Sequence, residues 1–121
     1  MTEILLIEEI NERFKKLSIR LKTLDVELNN ARTDKLQKKA MYEKIYYETI
    51  TTLKLKQPDL TQTDLKAEAV QQAHSARIEF ILSDAKYNSL KLERERILED
   101  IEMLKELSYN KRAELKNLKY D

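Results

Sequence analysis

The chain has no glycine in 121 residues and a single proline, Pro58. Average usage would put about eight glycines in a chain of this length. Glycine supplies the turns, left-handed helix stops and bulges by which a backbone reverses sharply. Without it the chain is confined to long helices joined by very few bends. Most catalytic and cofactor sites depend on loops that bring residues together from several directions. The sequence therefore predicts a helical binding or assembly protein rather than an enzyme.

Charged residues make up 37% of the chain and apolar residues 41%. About a quarter charged is usual, so a narrow apolar seam must lie under a wide polar surface. The length fits one domain, and thin helices of this size bury little core, which predicts self-association. There is no cysteine, hence no disulfide framework and no thiolate metal site. The opening residues carry acids where a secretory leader carries bases, and their apolar run of four is too short to cross a bilayer. The expectation is a cytoplasmic chain.

The net charge of +1 hides a division along the chain. Residues 1–12 hold four acids and no base, and residues 13–56 hold twelve Lys/Arg against five Asp/Glu. Residues 57–110 then hold seven bases against eleven acids, and residues 111–121 hold four against two. Either the basic first helix pairs with the acidic second, or the basic stripe meets a polyanion. The two can coexist.

Apolar residues recur at alternating steps of three and four through Ile7, Ile10, Phe14, Leu17, Leu21, Leu24, Leu28 and Ala31. This spacing predicts a helix packed along one seam, broadened by Ile4, Leu5, Leu6 and Val26. Around Asn29–Asn30 and Thr33–Asp34 the pattern slips, because a continued heptad puts Lys35 and Lys38 inside. An alternative stripe runs through Leu36, Ala40, Met41 or Tyr42, Tyr46, Ile50 and Leu53. Either the helix continues through a stutter, or it breaks with Thr33 or Asp34 as a cap. The absence of Gly and Pro there favours continuity.

The clear break is Gln57-Pro58-Asp59-Leu60-Thr61-Gln62-Thr63-Asp64. Proline disfavours helix in the residue before it, and Thr61 or Thr63 can cap a following helix with Asp64 near its positive end. A second seam then runs Ala69, Ala73, Ala76, Phe80, Ser83, Tyr87, Leu90, Arg94, Ile97, Ile101, Leu104, Ser108, Lys111, Leu115, Leu118. Ile81, Leu82, Leu92, Leu98, Met103 and Leu107 give it a second apolar edge.

The expected fold is all-α: a helix over about 3–56, either continuous or broken near 29–34, a bend at 57–63, and a helix over about 64–119. Two helices, or three, form a long coiled-coil-like hairpin in one domain. Seams this long exceed what one hairpin covers, so a homo-oligomer is expected. The residues expected to carry oligomerisation are Phe80, Tyr87, Leu90, Arg94, Ile97, Ile101, Leu104, Leu115 and Leu118.

Chemistry-bearing groups are sparse. His74 is the one histidine and reads as a surface or interfacial residue. Glu99, Asp100 and Glu102 circle the helix as solvated charge, so no metal and no cofactor is expected. Glu93-Arg94-Glu95-Arg96 reads as a salt-bridged surface, except that Arg94 falls on the seam, where a guanidinium meets a carboxylate and sets register. No nucleophile stands beside a base and an orienting partner, and no glycine-rich loop can cradle phosphate.

The remaining cluster lies at 32–56. Arg32, Lys35, Lys38, Lys39, Lys44, Lys54 and Lys56 surround Tyr42, Tyr46 and Tyr47. Lysines neutralise backbone phosphates and aromatic rings stack on unpaired bases, so this combination suits single-stranded nucleic acid. Equally, Tyr42 and Tyr46 can be core residues with hydroxyls at the rim, and the lysines a solvated face. Tyr47 sits off the stripe and is the better stacking candidate.

The run Gln37-Lys38-Lys39-Ala40-Met41-Tyr42-Glu43-Lys44-Ile45-Tyr46-Tyr47 resembles the basic, tyrosine-ended first-helix segment of the UvsY-like recombination mediator proteins of phages. The order of parts over about residues 30–112 is also similar. An alanine-containing helix starts at Thr63-Asp64-Leu65-Lys66-Ala67-Glu68-Ala69, and a long last helix ends Leu104-Lys105-Glu106-Leu107-Ser108-Tyr109-Asn110-Lys111-Arg112. The resemblance implies a small, ring-like helical oligomer in the host cytoplasm. It would bind single-stranded DNA and help a recombinase displace a single-strand-binding protein. Lys38, Lys39 and Lys44 would contact phosphates, and Tyr46 and Tyr47 would stack on bases or brace the helix. The tyrosines follow the lysine pair at a different spacing from the family's. The competing expectation is a coiled-coil structural or adaptor protein, such as a phage assembly chaperone or an inhibitor of a host complex, with no nucleic-acid role.

Overall fold

The computed structural model describes the backbone of residues 2–120 and the side chains of residues 6–117. It is all-α, with three helices and no strand among the described residues: α1 (Thr2–Lys56), α2 (Gln62–Gln72) and α3 (His74–Tyr120). No described helix is long and apolar enough to cross a membrane. Contacts divide the chain into two compact units. One takes the residues up to Glu27 and from Leu90 onward; the other takes Leu28–Ser89.

The first unit pairs the start of α1 with most of α3. Leu24 is fully buried between Ile97 and Ile101, each 7% exposed, with Leu17, Leu21 and Leu90 packed around them. Ile10 is buried nearer the end of the pair. These residues repeat every three or four positions on both helices, so one stripe of each faces the other. Arg20 forks between Glu27 and Glu93, with contacts of 3.1 and 2.7 Å, and Arg94 donates to Asp25 at 2.9 Å. Arg94 thus meets its carboxylate within the chain.

In the second unit α1 continues without interruption, and so does its heptad. Ala31 is buried, and Lys35, Lys38 and Tyr42 are half-buried in the same spacing. The alternative stripe through Leu36 and Ala40 is not the packed face: Leu36 is 58% exposed, and Ala40 and Met41 also face outward. The lysines take the seam because their alkyl stems lie along it while the ammonium groups reach acids on α3. From Tyr42 onward the packed face widens to take in Ile45, Tyr46, Thr49, Ile50 and Leu53, all half-buried.

The bend falls at Pro58. Gln57 donates to the Leu53 carbonyl at 2.7 Å, and Leu60 donates to the Gln57 carbonyl at 3.2 Å. Thr61, in extended conformation, caps α2 by accepting from the Asp64 amide at 3.2 Å. This satisfies one of the orphan amides at the helix start. Leu65, Ala69, Ala73 and Ala76 are buried.

The second long helix is divided where no Gly or Pro marks it. Ala73 ends α2 with φ −90° and ψ 2°, and His74 starts α3. Hydrogen bonds still run from Ala73 to Ala69 and from Arg77 to Ala73, each 2.9 Å, so the interruption is one residue wide. The third helix therefore arises at Ala73 and not at 29–34. Every described residue of the second seam, from Ala69 to Leu115, is buried or half-buried, Ser83 donating to the Phe80 carbonyl at 2.7 Å.

Candidate nucleic-acid interface

Helix α1 carries all ten residues of the basic, tyrosine-bearing cluster, and the register of its seam decides which of them face solvent. Lys35, on the seam, meets Asp84 at 2.8 Å and lies 5.0 Å from the Tyr87 ring centre. Lys38, the next seam position, meets Glu79 at 3.6 Å. Arg32 lies 5.9 Å from the same Tyr87 ring and donates to its hydroxyl at 3.4 Å. These three cations are occupied by acids and an aromatic face of α3. Their pairs are partly solvated and individually weak, yet all point the same way.

The tyrosines divide similarly. Tyr42 stacks on Phe80 with ring centres 6.5 Å apart and planes 3° apart. Tyr46 leans on Tyr42 at 6.3 Å and meets the edge of Tyr47 at 5.2 Å. Tyr42 and Tyr46 are therefore packing residues, as offset and edge-on ring pairs in a half-buried face are. Tyr47 is 63% exposed.

What stays outward is Lys39, Lys44, Tyr47 and Lys56, with Lys54 two turns beyond Tyr47. Lys44, Tyr47, Thr51 and Lys54 follow steps of three and four, which places them on one ridge of the helix. Among the described residues none of these lysines is ion-paired. Thr51 turns its hydroxyl back to the Tyr47 carbonyl at 2.9 Å, so it does not compete for a ligand. Glu43 and Glu48 flank the ridge and reduce its net charge. Asp84, Glu79 and Tyr87 were not foreseen as partners of the cluster; the signal was the heptad itself, which puts Lys35 and Lys38 on the face that α3 covers.

Six of the residues expected to join subunits make contacts within the chain. Ile97 and Ile101 are core, and Leu90 packs against them. Phe80 stacks on Tyr42, Tyr87 receives the two cations, and Arg94 is paired. Leu104 and Leu115 are half-buried, and the side chain of Leu118 lies outside the described residues. The apolar side chains left in solvent are the flanking ones, including Ile81, Leu82, Leu92, Met103 and Leu107.

His74 is exposed, and among the described residues no group of three or more His, Cys, Asp or Glu is placed to hold a metal ion. No protein-family model, no curated protein and no solved structure matches the chain.

Proposed function

We propose that this chain is a single-stranded-DNA-binding protein of the recombination-mediator kind. It acts as a homo-oligomer and carries out no chemistry of its own. It holds the strand so that a recombinase can replace a single-strand-binding protein on it. The observation that carries the reading is the outward ridge of Lys44, Tyr47 and Lys54, where an exposed ring stands between cations that make no ion pair, with Lys39 exposed to one side of it. Phosphates go to the lysines, and any base can stack on Tyr47, so binding is strong at low salt and indifferent to sequence. One ridge per chain is a small site, and joining chains raises affinity through effective concentration.

The test is anisotropy of a labelled oligothymidine at about 50 mM and about 200 mM salt. Affinity falls steeply between the two. Lys39→Ala with Lys44→Ala lowers the log–log salt slope by about 1.4 for each chain engaged. Tyr47→Ala weakens binding with the slope unchanged. Absence of binding at the lower salt, or binding that none of these substitutions alters, defeats the reading.

A second reading is favoured by the Lys35–Asp84 and Lys38–Glu79 pairs, which balance part of the basic stripe inside the chain. On that reading the protein is a structural, adaptor or assembly protein working only through exposed apolar helix faces. It predicts a mass above that of one chain together with no oligonucleotide binding.

A further inference from the structure

In the first unit, one side of the α1–α3 pair opens into a groove of about 710 Å³. Its floor is Leu17, Met103, Leu104 and Leu107, and Met103 and Leu107 are 66% and 44% exposed. Its two rims carry opposite charge. Arg13 and Lys16 stand on the α1 side, and Asp100 and Glu106 on the α3 side. The rims belong to longer tracts. Residues 13–22 hold five bases and no acid, and residues 99–106 hold four acids and one base.

Opposite charges across a narrow seam would close it, as Arg20 and Glu93 do on the same two helices. Here they do not: among the described residues neither Arg13 nor Lys16 is ion-paired with Asp100 or Glu106. The groove stays open, with Met103 and Leu107 exposed on its floor and no ion pair across it among the described residues. An occupant must bring an apolar strip bordered by acids on one side and bases on the other, in the order that answers these rims. A two-fold axis does this with the chain's own surface. It turns the acidic rim of one copy onto the basic rim of the next and the reverse, and lays floor on floor. Such self-complementarity is the requirement of a closed, isologous interface.

We infer that this groove is the docking surface for a second copy of the same chain. The two copies pair face to face about Met103 and Leu107, Arg13 and Lys16 of each lying against Asp100 and Glu106 of the other. This deepens the self-association in the proposed function, and it uses residues separate from the Lys44–Lys54 ridge.

The experiment is sedimentation velocity over a concentration series with two charge-reversed variants, Arg13→Glu/Lys16→Glu and Asp100→Lys/Glu106→Lys. Circular dichroism verifies that both stay helical. Wild type forms dimers or even-numbered assemblies. Each variant alone meets like charge at both rims, and its self-affinity falls about 100-fold. Mixing the two variants restores association to near the wild-type level, because every rim in the mixed pair again faces its opposite. Met103→Arg weakens wild-type association without affecting the rims' order.

A wild-type chain that stays single at every concentration overturns the inference. So does an assembly that both variants leave intact, or variants that fail to rescue each other. Oligonucleotide binding is read in parallel. Binding by a chain that stays single sinks the groove pairing and leaves the DNA reading standing. Rescued pairing with no DNA binding does the reverse.

Discussion

The packed face of α1 can be tested by two leucines twelve residues apart. Leu24 is 0% exposed and Leu36 is 58% exposed, although sequence spacing places both on apolar stripes. Leu24→Ala removes three carbons from a fully buried site, about 2.4 kcal/mol at about 0.8 kcal/mol per buried methylene. The space left among Ile97, Ile101, Leu17, Leu21 and Leu90 collapses only partly, which adds to the loss. The expected cost is about 3 kcal/mol, or roughly 10 °C in melting temperature for a chain of this length. Leu36→Ala removes the same carbons from a side chain that is mostly in water. Alanine is also the better helix former, so the expected change is less than about 0.5 kcal/mol.

Urea unfolding followed by circular dichroism measures both, at one fixed protein concentration because association shifts apparent stability. If Leu36→Ala costs as much as Leu24→Ala, the seam turns away from Lys35 and Lys38 after residue 31. The assignment of Lys39, Lys44 and Tyr47 to the outward face then fails with it.

Two further outcomes follow from local geometry. Thr61→Ala removes the cap on the Asp64 amide and costs about 1 kcal/mol in urea unfolding, while Thr63→Ala, which caps nothing, is near neutral. Arg20 is held charged above its ordinary pKa, first by its hydrogen bond to Glu27 and then by that to Glu93. A raised folded pKa gives a contribution that is complete below the unfolded value and lost only in strongly alkaline solution, as pH climbs through the folded value. Arg20→Gln therefore lowers the melting temperature equally at about pH 6 and about pH 9, and the loss shrinks as salt screens the exposed pairs. A loss that varies between those pH values contradicts the assignment.

The second seam was legible because its alternation of four and three runs unbroken from Ala69 onward, and helical geometry turns that spacing directly into a face. The bend was legible from Pro58 and the threonine cap. The stretch from 31 to 42 was not. Apolar patterning penalises a lysine on a seam, and the acids that make Lys35 and Lys38 acceptable lie more than forty residues away, at Asp84 and Glu79. The division at Ala73 carries no local mark either, since Ala73 is itself a good helix former and no Gly or Pro stands near it. At the candidate site, seven cations and three tyrosines of suitable type were visible. Composition could not separate Lys35 and Lys38 from Lys39 and Lys44, which are distinguished only by which side of the helix α3 covers.

Seam lysines also suggest why the chain tolerates them. Leucine at positions 35 and 38 would bury more apolar surface, and replacing partly buried ion pairs by apolar residues is often stabilising. The lysines instead discriminate between registers. With Lys35 opposite Asp84, a slip of α3 by one heptad in either direction brings it against Arg77 or Lys91. The same slips, carrying the end of α2 along with α3, bring Lys38 from Glu79 to Gln72 or Lys86. Three of the four alternatives are like charges, and the correct register is the one in which both lysines meet acids. A glycine-free, alanine-lined helix has few other devices to forbid sliding, and a polar group on a seam is a known means of fixing alignment at a cost in stability. Lys35→Leu with Lys38→Leu is therefore expected to raise stability by about 1 kcal/mol and to loosen alignment. Cysteines introduced by Tyr42→Cys and Phe80→Cys report the native register by a single intrachain cross-link. In the double-leucine background, cross-linking at that pair falls, and cross-links from position 42 to cysteines introduced at 73 or 87 appear. If the leucine variant keeps the one native cross-link at full yield, alignment is set by the Leu24–Ile97 core and the arginine pairs alone, and the lysines have no part in it.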